Sequence, residues 1–262
     1  MTGFIGGGNM AEALIKGMTS QGMKDIIVSE PREERRQYLE KTYSITTTAS
    51  NKEVVSSCGI IILAIKPQNM AVVLDEISAD VTDEKTVVSI AAGIKLSFLQ
   101  SKLNTKKLIR VMPNTPALIQ EGMSVMSLCE CFNDKDISIV REILMSVGRV
   151  ITMPEKLMNA VTALSGSGPA FVALFVEAMT EAGVKMGINK GHASELAVQT
   201  LLGTARLLDT GMSPEKLREM VTSPGGTTAA GLKTFQEKGF NDIVMDALFA
   251  ARDRAEELGK NR

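Results

Sequence analysis

Short apolar, β-branched runs alternate with longer amphipathic ones over roughly the first 150 residues. The apolar runs fall at 3–5, 26–28, 60–65, 87–90 and 108–112, and amphipathic stretches such as 10–22, 32–41 and 67–79 separate them. Strands spaced by helices predict a parallel sheet with helices on both faces. A helix over 134–147 and a last strand over 148–153 complete this half.

From Pro154 onward no strand pattern remains. Helices are expected at 157–164, 168–186, 190–209, 214–221, 227–237 and 241–258. Gly211-Met212-Ser213-Pro214 stops one helix and starts the next, with Ser213 as N-cap and Pro214 at the first helical position. The helix over 169–186 carries Phe171, Val172, Leu174, Phe175 and Val176 around much of its girth, so it should be buried on several sides. About 110 residues of such helices make a thin core, and this half is expected to pack against a second subunit. The fold class is therefore an α/β Rossmann-type nucleotide-binding domain, 1–153, followed by an all-α domain, 154–262, for dimerisation and substrate binding.

Composition narrows the function. Net charge is −1 and there is no tryptophan, which argues against nucleic acid and against an anionic membrane surface. No unbroken apolar run approaches the ~18 residues that a bilayer span needs. Neither a basic start nor a cleavage site marks a signal peptide, and the expected compartment is the cytoplasm. Cys58, Cys129 and Cys131 form no CxxC pair and no metal-ligand spacing with the single His192. They read as reduced, mostly buried thiols, and no metal is expected. The sixteen methionines read as filling of an adaptable helical core.

Two glycine-rich cradles carry the chemistry. Gly6-x-Gly8-x-x-Ala11 follows a strand and opens a helix, the context of a dinucleotide loop. Glycine there permits the turn and the close backbone approach, and the helix N-terminus faces the phosphates. Glu30 lies about 20 residues further on, where an acid binds the ribose hydroxyls of NAD. Ser29 with Arg32, Arg35 and Arg36 offers the alternative, a seat for the 2′-phosphate of NADP. The loops Ala64-Ile65-Lys66-Pro67 and Ala91-Ala92-Gly93 follow strands, where ligands bind in open α/β sheets. The second cradle is Ser223-Pro224-Gly225-Gly226-Thr227-Thr228, consecutive N–H groups and two hydroxyls at a helix start, suited to a small carboxylate. Leu164-Ser165-Gly166-Ser167-Gly168-Pro169-Ala170 and Met112-Pro113-Asn114-Thr115-Pro116 are similar clusters, and turn chemistry or helix capping explains any one of them alone. His192 sits at a helix start without a carboxylate at local spacing and reads as a surface residue. Lys185 and Lys190 have no motif. Hydride transfer with mild proton donation fits this inventory better than chemistry that needs a strong general base.

Together these motifs resemble pyrroline-5-carboxylate reductase across essentially the whole chain. The most specific element is Leu217-x-x-x-Val221-Thr222-Ser223-Pro224-Gly225-Gly226-Thr227-Thr228-x-x-Gly231-Leu232. The resemblance implies reduction of the cyclic imine 1-pyrroline-5-carboxylate to L-proline, the last step of proline biosynthesis, with NADPH or NADH. It implies a homodimer with interlocked C-terminal helices, active sites shared between subunits, and further assembly into rings of five dimers. It maps cofactor positions onto Ile5, Gly6, Gly7, Gly8, Asn9, Met10, Ser29, Asn51, Ala64, Lys66, Pro67, Ala92 and Gly93. Substrate positions map onto Glu155, Ser223, Gly225, Gly226, Thr227 and Thr228, with Thr228 as the catalytic candidate that orients the proton for the imine nitrogen. Two readings stand against it. One is a hydroxyacid dehydrogenase of the 6-phosphogluconate type, which needs a lysine and an arginine clamp that have no motif here. The other is a non-catalytic nucleotide-binding paralogue with a regulatory role. A six-membered imine also stays open.

Overall fold

The computed structural model describes residues 1–129 and 134–260. Cys131 lies outside the described residues. The chain forms two compact units, one of Met1–Ser167 joined by the chain from Ala251 onward, the other of Gly168–Ala250.

The first unit is built on an eight-stranded sheet. Its strands are β1 (Thr2–Ile5), β2 (Ile26–Ser29), β3 (Thr46–Thr48), β4 (Ile60–Leu63), β5 (Thr86–Ser89), β6 (Leu108–Met112), β7 (Gly122–Leu128) and β8 (Gly148–Thr152), in spatial order β3-β2-β1-β4-β5-β6-β7-β8. Strands β1 to β6 are mutually parallel. Successive side chains of one strand enter opposite cores. Phe4, Val28, Ile62, Val88 and Ile109 face one apolar cluster, and Ile5, Ile27, Ile61, Leu63 and Val87 face the other. A sheet covered on both faces needs such unbroken apolar strands. The helices that cover it include α1 (Asn9–Ser20), α2 (Glu33–Tyr43), α3 (Asn51–Ser57), α4 (Met70–Ile77), α5 (Leu96–Lys102) and α6 (Asp134–Met145). Strand order reverses between β1 and β4. Their carboxyl ends therefore flank the crevice in which open α/β sheets bind ligands.

The sheet departs from the sequence expectation at its far edge. β7 had no strand signal, and it runs antiparallel to β6 before β8 pairs parallel to β7. Gly122, Ser124 and Ser127 interrupt the apolar pattern of β7, yet they are buried, so tertiary packing overrides weak local propensity. β3, α3 and α5 were also missed. β3 is a three-residue threonine edge strand, and the two helices have seven residues each, too short for a clear period.

Beyond β8 the chain turns through α7 (Met158–Val161) and a wider π turn, Thr162–Gly166. Such π turns frequently mark functional sites. The second unit contains α8 (Gly168–Lys185), α9 (Lys190–Asp209), α10 (Pro214–Met220), α11 (Thr227–Glu237) and the start of α12 (Phe240–Lys260). Ser213 caps α10 through the Lys216 N–H, and Pro214 holds its first position, as its sequence predicts. Gly183 packs against Ala193, which lets α8 and α9 approach closely. The expected burial of α8 is not met within one chain. Only Gly183 of this helix is buried, while Phe171, Val172, Leu174 and Phe175 stay exposed. The helical run Glu155–Lys185 is long and apolar enough to cross a membrane by length and composition, although no unbroken apolar stretch produces it.

Candidate active site

The glycine loop between β1 and α1 is held at both backbone polar groups of one residue, Gly7. Gly7 N–H donates to Glu30 Oε2 at 3.1 Å, and Arg35 Nε donates to the Gly7 carbonyl at 2.7 Å. Arg35 is anchored in turn by Glu12 Oε2 at 2.5 Å, and Glu12 Oε1 accepts from Tyr38 and Tyr43. Burial raises the Glu12 carboxyl, but the bonds from Arg35, Tyr43 and Tyr38 outweigh it and bring it below the usual carboxylate range. Burial, and then the bond to Glu12, pushes the Tyr43 phenol up. Gly6 adopts φ +99°, and a Cβ there would stand 2.7 Å from the Ala64 carbonyl oxygen, so only glycine fits.

These residues suit a dinucleotide. The N-cap of α1 is Gly8, with no side-chain cap, which leaves the first-turn N–H groups of Asn9 and Met10 available to an anion. A Cβ on Gly8 would meet nothing within 4 Å, so the space above the loop is open. Ile5 ends β1 and Ala64 follows β4, tied by the Ala64 N–H to the Ile5 carbonyl at 2.9 Å. Lys66 is exposed beside Pro67, which opens a short 3-10 turn. Ala92 is exposed and Gly93 is buried against Leu258 and Gly259 of α12.

At the end of β2 the candidate phosphate holders are unequal. Arg36 donates to the Glu30 and Pro31 carbonyls, and Arg35 is committed to the loop. Arg32 pairs with Glu30 Oε1 at 2.8 Å and its side chain is mostly exposed. The Ser29 hydroxyl donates to Asn51 Oδ1 at 2.7 Å, and Asn51 Nδ2 donates to Glu76.

Glu155 occupies a position that the sequence did not foresee. Its Oε1 accepts from the Leu96 N–H at 2.7 Å and from Arg110 Nη1 at 3.1 Å. It thus caps α5 and neutralises Arg110, a charge buried on β6. Arg110 was overlooked, although a lone arginine inside the apolar run 108–112 is the signal that could have found it. Two of the serine- and proline-rich clusters meet. Asn114 Nδ2 donates to Ser165 Oγ at 3.3 Å, and Asn114 Oδ1 accepts from the Met123 N–H at 2.8 Å.

In the second unit Gly225 has φ +69°, and the Gly226 N–H returns to the Ser223 carbonyl at 3.0 Å. Gly226 caps α11 without a side chain, and the first turn of α11 has no acidic residue. Thr227 and Thr228 open that helix. The loop thus presents N–H groups, hydroxyls and the positive end of an eleven-residue helix. His192 is exposed and belongs to the cap of α9, where its N–H donates to Asn189 Oδ1. Cys58 is buried, which pushes its thiol up. Cys129 is half-buried, with its Sγ against the Lys106 carbonyl. Among the described residues no three His, Cys, Asp or Glu side chains group to hold a metal.

Known proteins resemble this chain in sequence and fold. Residues 155–258 match the family model for pyrroline-5-carboxylate reductase dimerisation, and residues 1–93 match that for NADP oxidoreductase, coenzyme F420-dependent. A pyrroline-5-carboxylate reductase of Synechocystis sp. is 40% identical over 265 residues, covering 98% of both chains. A solved reductase of that name from Coxiella burnetii superposes with a TM-score of 0.93 at 32% identity, covering 98% of this chain and 97% of that one. The Plasmodium falciparum pyrroline carboxylate reductase, solved with NADP bound, gives 0.88 at 31% identity, with 98% and 97% covered. The chain belongs to the pyrroline-5-carboxylate reductase family.

Proposed function

We propose that this chain reduces 1-pyrroline-5-carboxylate to L-proline with NAD(P)H, as an assembly joined through its C-terminal helices. The observation that carries the reading is the pair of cradles, a dinucleotide loop at Gly6–Gly8 and a carboxylate loop at Gly225–Thr228, in a chain that matches reductases of this name from end to end. Those matches favour neither the 6-phosphogluconate-type dehydrogenase nor the non-catalytic paralogue.

The nicotinamide, when bound, supplies the hydride. Gly6, Gly7, Gly8, Asn9 and Met10 hold the pyrophosphate, Ser29, Arg32 and Asn51 face the adenosine end, and Ala64, Lys66, Pro67, Ala92 and Gly93 line the nicotinamide side. Gly225 and Gly226 shape the loop, and the Gly225 N–H, the first-turn N–H groups of α11 and the hydroxyls of Ser223, Thr227 and Thr228 fix the substrate carboxylate. Thr228 orients the proton that the imine nitrogen takes from solvent, since a threonine hydroxyl is itself a weak acid. Glu155 supports the substrate side through its hold on Arg110 and α5.

The matched dimerisation region includes the exposed apolar face of α8, and a homodimer through these helices covers it. Rings of five such dimers, a decamer, and a cytoplasmic location complete the proposal. The proposed domain division at 153/154 follows the start of the matched dimerisation region, 155–258, whereas the compact units divide at 167/168 and return the chain from Ala251 onward to the first. The decisive experiment is NADPH and NADH oxidation by the purified protein with pyrroline-5-carboxylate. Turnover is expected. Nucleotide binding without turnover would instead favour a different imine or a regulatory paralogue.

A further inference from the structure

We infer that Glu30 makes this enzyme prefer NADH to NADPH, because its carboxylate stands fixed where the adenosine ribose meets the end of β2 and can accept from a 2′-hydroxyl but only repel a 2′-phosphate. The inference rests on the nucleotide reading of the glycine loop.

The carboxylate is not free to swing aside. Glu30 is only 5% exposed, its Oε2 accepts from Gly7 N–H at 3.1 Å, and its Oε1 accepts from Arg32 N at 3.1 Å and Arg32 Nε at 2.8 Å. Leaving would strand the Gly7 N–H, and the next peptide of the loop is fixed by Arg35 at the Gly7 carbonyl. Burial raises the Glu30 carboxyl, but the bonds from Arg32 and Gly7 and the Arg32 charge outweigh it, so the group is ionised at neutral pH. A carboxylate offers about four acceptor positions, and three are filled. The remaining one suits a single hydroxyl donor. A 2′-phosphate carries about −1.5 to −2 charge and, as the dianion, has only acceptors to offer.

The cations nearby do not reverse this. Arg35 is spent on the Gly7 carbonyl and Glu12, and Arg36 on the Glu30 and Pro31 carbonyls. Arg32 is the one of these three guanidiniums that is mostly exposed, and its charge is matched by Glu30 itself. To hold a phosphate it would have to abandon a buried carboxylate that stays charged. Ser29 likewise gives its hydroxyl proton to Asn51.

The test is direct titration of the full-length protein with NADH and with NADPH, followed by nucleotide fluorescence, for the wild type and Glu30→Gln. The amide keeps an acceptor for Gly7 N–H and removes the charge. For the wild type, NADH is expected to bind about tenfold or more tighter than NADPH, and in Glu30→Gln that ratio should fall about tenfold, mainly through tighter NADPH. Thermal unfolding checks that the variant is folded, and the wild-type ratio decides the question if it is not. Equal or tighter NADPH binding by the wild type, or an unchanged ratio in a folded variant, overturns the inference alone. No binding of either nucleotide overturns the nucleotide reading with it.

Discussion

The two units differ in how they dispose of their apolar surface. In the first, both faces of the sheet are covered, and buried charges such as Arg110 and Glu30 have partners within the same unit. In the second, α8 buries one glycine and α9 two alanines, while Leu174, Leu196 and Ile243 are each more than half exposed. A doubly wound sheet carries its own covers in its crossover helices. A set of helices with apolar residues all round carries half a core and takes the other half from elsewhere. The strongest way to break this contrast is Leu174→Glu with Phe175→Glu. A two-fold interface meets each carboxylate twice, and burying an unpaired charge costs several kcal/mol. The expected outcome is loss of the dimer by sedimentation and loss of turnover, with nucleotide binding by the first unit retained. A double variant that sediments and turns over like the wild type would refute the dimer face.

The two cradles sharpen the same contrast. Thr228→Ala is expected to lower kcat/KM about a hundredfold, the scale of a lost transition-state donor, while the dissociation constant for nucleotide stays within about twofold. Gly6→Ala should do the converse. At φ +99°, with a Cβ 2.7 Å from a backbone oxygen, it costs about 1–3 kcal/mol of strain and abolishes nucleotide binding, yet leaves the assembly intact. If both variants lose nucleotide affinity equally, the assignment of the second cradle to substrate fails.

The five strands β1, β2, β4, β5 and β6 and the long helices were legible because each residue's local preference agrees with its place. The runs at 60–65 and 87–90 are apolar on both faces, and Ser213-Pro214 caps a helix by local chemistry alone. β7 was illegible because Gly122, Ser124 and Ser127 are strand residues by virtue of neighbours far away in sequence. The glycine loop was legible as a motif, but its clamp was not. Glu12, Glu30, Arg35 and Tyr43 are scattered over 32 positions, and only the fold links them into one network that ends on Gly7. Glu155 was placed by resemblance at the substrate, and its bond to Leu96 and Arg110 depends on a contact 45 to 59 residues away.

That ion pair gives the next prediction. Arg110 is almost wholly buried and Glu155 is about one-third exposed. Glu155→Gln leaves the guanidinium without its counter-charge, so about 2–3 kcal/mol of stability should be lost, somewhat less than for a fully buried pair. Denaturant unfolding measures it, and Arg110→Met in the same background should recover part of the loss. No recovery would mean that the carboxylate acts through the Leu96 cap alone.

The smallest effect is in acid, and it separates the loop clamp from the helical half. Glu12 and Glu30 both have folded-state carboxyls held below their usual value of 4.5. The folded protein therefore binds fewer protons than the unfolded chain near that pH. Their contribution is fully present above the unfolded value and drains away as pH falls through the folded ones. Melting temperatures between about pH 6 and pH 3 should fall less steeply for Glu30→Gln than for the wild type, because the amide has no proton to take up. Since the Glu30 charge favours NADH over NADPH, the excess protection by NADH over NADPH should shrink in the wild type as the carboxyl protonates, while a charge change at exposed Glu215 leaves this difference unaltered. Parallel acid profiles for wild type and Glu30→Gln would show that the Gly7 clamp contributes nothing through its charge.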